Sequence, residues 1–133
     1  MAFKIFRKNC CGLDVHKTWI YACMGITDTN GRTEYKQARF SSFTKGLQKL
    51  ADWLAKYDCN DVCMESIGKF WIPVFNILEK TCWVTLAYPK YTKPQKGNKT
   101  DHKDAKWICD LYMCDMVNTF LCVTYFPVKR DIS

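Results

Sequence analysis

Apolar and polar residues change their period several times along this chain, and each change marks an element. Asn9 to Val15 reads as a short strand, and Trp19 to Ile26 as a second one rich in aromatic and small apolar residues. Only His16-Lys17-Thr18 separates them, short enough for a hairpin. Asp28-Thr29-Asn30-Gly31 is a turn signal, because Asn-Gly suits a two-residue hairpin loop. A third strand then runs from about Arg32 to Phe40. Beyond it the period becomes helical, with Leu47, Leu50, Ala51, Leu54 and Ala55 on one stripe behind an N-cap at Thr44 or Ser42. Val62-Cys63-Met64-Glu65 is a short buried strand. Phe70 to Lys80 forms a second helix with Pro73 in its first turn, and Trp83 to Ala87 a fifth strand. A last helix begins near Asp101 and carries Ala105, Ile108, Leu111 and Tyr112. From Asp115 to Ser133 no clear period appears.

The order is β-β-β-α-β-α-β-α, hairpins first and crossovers afterwards. Crossover helices imply parallel pairing of the later strands, so the pattern predicts an α/β fold with a mixed sheet flanked by helices. A length of 133 residues suits one domain, and 48% apolar residues exclude a disordered tail. No apolar run approaches the roughly 18–20 residues that cross a bilayer, and Met1 to Lys8 leads into no signal-peptide segment. The expected setting is therefore cytoplasmic, with no membrane partner. Nine cysteines without a secretory signal point to free thiols, and their spacing makes no zinc set. Lysine and arginine total 20 against 13 acids, a net charge of +7 that suits a polyanionic partner.

Against that background Asp14 stands out. It sits inside an apolar strand, and an ionised aspartate is rarely buried unless it is paired or holds a metal. Glu65 lies where the fourth strand leaves the sheet, the edge at which α/β sites gather. Asp101 and Asp104 are three apart on the last helix and share a face with Ile108 and Leu111. Converging there, the four carboxylates would make a hard-oxygen site for Mg²⁺ or Mn²⁺. Plainer roles are open to three of them. Asp101 can cap the helix, Asp104 can complement its dipole, and Glu65 can be a surface residue at a strand end.

Tyr88 to Thr100 is the one long loop, and it leads straight into the last helix. Lys90, Lys93, Lys96 and Lys99 lie within it, and Lys103 and Lys106 continue the series on the helix. With Tyr88 and Tyr91 interleaved, this is a pattern suited to tracking phosphates, although a solvated lysine-rich loop has the same composition.

Gly12-Leu13-Asp14-Val15-His16-Lys17, Met64-Glu65-Ser66-Ile67-Gly68 and Lys99-Thr100-Asp101-His102-Lys103-Asp104-Ala105 resemble the N-terminal domain of DEDD insertion-sequence transposases. These are relatives of the Piv invertase, with a catalytic domain similar to the RuvC Holliday-junction resolvase. The resemblance spans about Asn9 to Pro127 and implies a ribonuclease-H-like mixed sheet with Mg²⁺-dependent DNA recombination activity. On the matching positions Asp14, Glu65, Asp101 and Asp104 take the catalytic, metal-binding roles, with His16 and Lys17 in support. Glu-Ser-Ile-Gly departs mildly from the usual Glu-Ser/Thr-Thr-Gly. Family members continue into a coiled-coil segment and a second domain bearing a serine implicated in strand exchange. Residues 1–133 thus correspond to a single RuvC-like domain without that serine domain, and transposition by this domain alone is not expected. Some members are guided by a structured RNA.

Three functions follow. The first is an Mg²⁺-dependent DNA-processing domain of a transposase. The second is a remnant that binds DNA or guide RNA without chemistry, and the third is an independent resolvase-like nuclease. The aromatic stretch from Asn118 to Phe126 offers a surface for a second copy of the chain or for a further domain.

Overall fold

The computed structural model describes residues 4–66, 68–87, 101–117 and 122–125, with the backbone alone at 101–103 and 122–125. The strands are β1 (Asn9–Val15), β2 (Trp19–Thr27), β3 (Thr33–Ser41), β4 (Asp61–Ser66), β5 (Trp83–Ala87) and β6 (Cys122–Tyr125). The helices are α1 (Thr44–Lys56), α2 (Trp71–Leu78) and α3 (Asp101–Met113). Among the described residues they build one six-stranded sheet in the order β3-β2-β1-β4-β5-β6. The β1–β2 and β2–β3 pairs are antiparallel, while β1–β4 and β4–β5 are parallel. This is the mixed sheet that the element order predicts.

Three local details differ from the sequence reading. Cys122–Tyr125 pairs antiparallel with β5, where no strand is expected. Four residues at a sheet edge carry little periodicity, and their partner strand supplies the pairing. The β2–β3 turn is wider than a two-residue loop: Asp28 N donates to Arg32 O at 2.9 Å, and Asp28 Oδ1 accepts from the backbone N of Asn30 and Arg32. The positive φ of 85° falls at Gly31. At the head of α1 the cap residue is Phe43, with no side-chain cap bond, and Ser41 Oγ accepts from Phe43 N at 3.1 Å.

Strand alternation sorts the core into two layers. Cys11, Leu13 and Val15 of β1 face α1 and α2, where they pack with Leu47, Leu50, Leu54, Val74 and Leu78. Cys10 faces the other way, onto Ala105, Ile108, Cys109, Tyr112 and Met113 of α3. Gly12 lies between Cys10 and Asp14 on that face. A Cβ there would stand 2.5 Å from Cys109 N and 2.6 Å from Ala105 O, so α3 rests directly on the β1 backbone. Both α1 and α3 end in a residue with positive φ, Asp58 at 55° and Asp115 at 57°. Cys59 N then donates back to Leu54 O, and Met116 N to Leu111 O, which satisfies the last carbonyls.

Candidate metal-binding and nucleic-acid site

Asp14 is the next α3-facing position after Gly12. Its register partner in the parallel neighbour is Glu65, near the end of β4. Paired residues on adjacent strands project to one face, so both carboxylates leave the sheet together beneath α3. Their strands lie about 4.8 Å apart. At such spacing two ionised carboxylates repel by roughly 3 kcal/mol even at an effective dielectric near 20. Burial removes the water that would screen them: Asp14 is 3% exposed and Glu65 1%.

The direction of α3 brings a third acid toward this pair. Met113 O, at the end of the helix, accepts from Phe6 N and Arg7 N ahead of β1, whereas Ala105 O stands over Gly12. Moving toward the start of the helix therefore moves along β1 toward Asp14. Four helical residues rise about 6 Å and two strand residues about 6.6 Å, so the first turn of α3 overlies the carboxyl end of β1. Asp104, in that turn, is 6% exposed, and its buried Oδ1 has no hydrogen-bond partner among the described residues. An acceptor so placed costs free energy unless a cation or a donor reaches it.

The sequence-derived residues fall into three groups. Asp14 and Glu65 are brought side by side, with Asp104 on the helix above. Asp101 opens the same helix, but its side chain lies outside the described residues, as do the side chain of Lys103 and the whole of Lys90, Lys93, Lys96 and Lys99. Among the described residues no group of three His, Cys, Asp or Glu side chains is close enough to hold a metal ion. Lys17 is exposed at the tip of the β1–β2 hairpin. Lys106 is engaged elsewhere: its Nζ pairs with Asp110 Oδ2 at 2.9 Å and lies over the Tyr35 ring.

His16 is more closely involved than its supporting role in the sequence implied. Its Nε2 donates to Asp14 Oδ2 at 2.9 Å, and its ring stands edge-on to Tyr21. That contact fixes the orientation of Asp14. Sequence reasoning assigned no role to Trp19, Tyr21 or Arg39, which occupy the same face beside Asp14. The signal was present as alternate aromatic positions on β2 opposite a cation on β3. It becomes informative only once the register is known.

In the described residues no helix is long and apolar enough to cross a membrane. No curated protein matches the sequence. Solved structures match at low identity. A Fowlpox virus resolvase complexed with Holliday junction DNA is 13% identical, with a TM-score of 0.57, covering 78% of this chain and 97% of that one. Thermus thermophilus RuvC, in complex with a Holliday junction substrate, is 8% identical with a TM-score of 0.55 over 76% of this chain and 90% of its own. At these identities the likeness shows the fold, which is ribonuclease-H-like as the resemblance implied. A family model for DEDD transposases of the IS110 type, described as Transposase, matches residues 11–121, from within β1 through the whole of α3. The motifs around Asp14, Glu65 and Asp104 all fall within that span, and the chain belongs to this transposase family.

Proposed function

We propose that this chain is a divalent-metal-dependent DNA-processing domain of a transposase or site-specific recombinase, with residues 1–133 acting as one domain. The observation that carries the reading is the register pairing of Asp14 with Glu65 beneath the first turn of α3. Membership of the transposase family supports it, as do the DNA complexes among the structures with this fold.

The donor chemistry suits a hard cation, although the described acids by themselves do not close around one. Asp14, Glu65 and Asp104 offer buried carboxylate oxygens, one of them without a partner among the described residues, and oxygen-only ligation favours Mg²⁺ or Mn²⁺. Asp101 would complete the set from the same helix. When bound, such ions stabilise the attacking and leaving oxygens of a phosphoryl displacement. The protein's own part is to hold the carboxylates in register. His16 keeps Asp14 turned toward the site, and α3 shields the acids from water. Lys17, together with Lys90, Lys93, Lys96, Lys99 and Lys103, would draw the DNA backbone toward them, while Lys106 is held by Asp110 and leaves that task to the others.

Calorimetric titration of Mn²⁺ into the wild type and Asp14→Asn tests this directly, followed by nicking of duplex and branched DNA. The expected result is binding by the wild type, loss of binding in the variant, and a fall in metal-dependent nicking of at least about 100-fold. The metal-free variant should melt at or above the wild-type temperature, since one acid of a crowded set is gone. Absence of metal binding and of nicking, with DNA present as well as without, would overturn the reading. It would leave a domain that binds DNA or a guide RNA without chemistry.

A further inference from the structure

The strand register extends the carboxylate pair into a longer row. Arg39 of β3 is opposite Tyr21 of β2, Tyr21 opposite Asp14, Asp14 beside Glu65, and Glu65 beside Ala87. All five therefore lie on the α3 face of the sheet. The row reads cation, phenol, carboxylate, carboxylate, methyl. With strands about 4.8 Å apart, the Arg39 backbone stands about 10 Å from that of Asp14. The helix covers only one end of the row. Asp14, Glu65 and Ala87 are buried, Tyr21 is half-buried and Arg39 is exposed.

The exposed end is built rather than frayed. The Arg39 guanidinium carbon lies 4.4 Å from the centre of the Trp19 ring. Trp19 starts β2 and is itself 41% exposed, on the same face as Tyr21. Stacking on indole holds a guanidinium flat and leaves its N–H edge free to meet an anion. Among the described residues Arg39 pairs with no carboxylate. Lys106 differs in this respect, because Asp110 already neutralises it. An un-neutralised, planar, stacked cation next to a carboxylate site is suited to a phosphodiester, which guanidinium binds through paired N–H groups.

We infer that Arg39, held by Trp19, binds a phosphate of the DNA strand next to the one presented to the carboxylates. The strand then crosses the sheet along the row, from β4 toward β3. Tyr21 forms the floor between the two phosphates. Arg39 is on this account a positioning residue for substrate, and the inference rests on the DNA-processing reading of the carboxylates.

Metal-free binding of a fluorescent duplex and of a branched DNA, measured across a salt series, tests it without requiring chemistry. Arg39→Gln should weaken binding about 5- to 10-fold and lower the salt slope by about one counterion, while Arg39→Lys should keep the slope and lose part of the affinity. A scan of single methylphosphonate substitutions on the wild-type protein avoids any question of variant folding. One neutralised phosphate should weaken wild-type binding as much as Arg39→Gln does, and should cost that variant nothing further. Equal affinity and slope in Arg39→Gln, or an additive methylphosphonate loss, would overturn the inference. So would a loss confined to an RNA strand of the same sequence. If Arg39→Gln binds DNA as the wild type does, and the wild type still nicks through Asp14, only the inference falls. If the wild type binds no DNA at any salt, the underlying reading falls with it.

Discussion

The two faces of the sheet are made of different materials. Toward α1 and α2 the strands present Leu13, Ile20, Met24, Met64 and Val84, against leucines on the helices. Toward α3 they present Cys10, Gly12, Cys23, Cys63 and Ala87. Large apolar side chains keep α1 and α2 at a distance and bury much apolar surface. Small ones bury less and let α3 settle onto the β1 backbone. The first face contributes most of the hydrophobic stabilisation, at about 25 cal/mol per Å² of apolar surface buried. The second contributes position, because a helix in contact with backbone has little room to slide. The carboxylates project on the second face, where a small displacement would separate them.

The sharpest way to break this division is to fill the contact under α3. Gly12→Val adds atoms where a Cβ alone would already meet backbone of Cys109 and Ala105. Neither can rotate away, so α3 must lift, at an expected cost at the upper end of overpacking, about 3 kcal/mol or more, in denaturant unfolding. The folded fraction should also have lost Mn²⁺ affinity in calorimetry. Leu50→Ala acts on the opposite face, where Leu50 is fully buried. A loss of about 3 kcal/mol is expected there, yet metal affinity per folded molecule should match the wild type. If both variants lost metal equally, stability and position would not be separable by face.

The smallest expected effect comes from pH, and it too belongs to the face packed by α1 and α2. Burial pushes the Cys59 thiol from its ordinary 9.0 up to about 12. The folded chain thus keeps a proton that the unfolded chain releases above pH 9. Stability from this thiol is full below that point and falls as pH rises toward 12, by about 1 kcal/mol at pH 10. Denaturation midpoints at pH 8 and pH 10 would show the decline, and Cys59→Ala should reduce it.

Most of the fold was legible because the elements carry strong local signals. The α1 stripe of Leu47, Leu50 and Leu54 is buried as its spacing requires, whereas Ala55, one step further, is exposed. An alanine at the edge of a stripe says little about which side it takes. β1 and β5 have the bounds their apolar runs indicate. β6 was not legible, because a short edge strand is defined by its partner more than by its own residues. For the site, the burial of Asp14 was readable from its place within an apolar strand. The patterns around Glu65 and Asp104 were equally open to an exposed strand end and a helix-dipole acid, and the structure buries both. The pairing of Asp14 with Glu65 depends on register, which no local pattern specifies between parallel strands. The Asp14–His16 bond and the Trp19–Arg39 stack are likewise tertiary facts.

The parallel pairing of β1 with β4 also sets an order of assembly. The three hairpin strands, Asn9 to Ser41, are joined by short turns and close quickly. Asp14 and Glu65 meet only after α1 has crossed over and β4 has docked, a slower, long-range event. The overlying Asp104 arrives later still along the chain. Asp14 and Glu65 are far apart in sequence and become neighbours only through the parallel pairing of β1 with β4. For a protein whose proposed substrate is the genome around it, competence arises only once the last helix is seated.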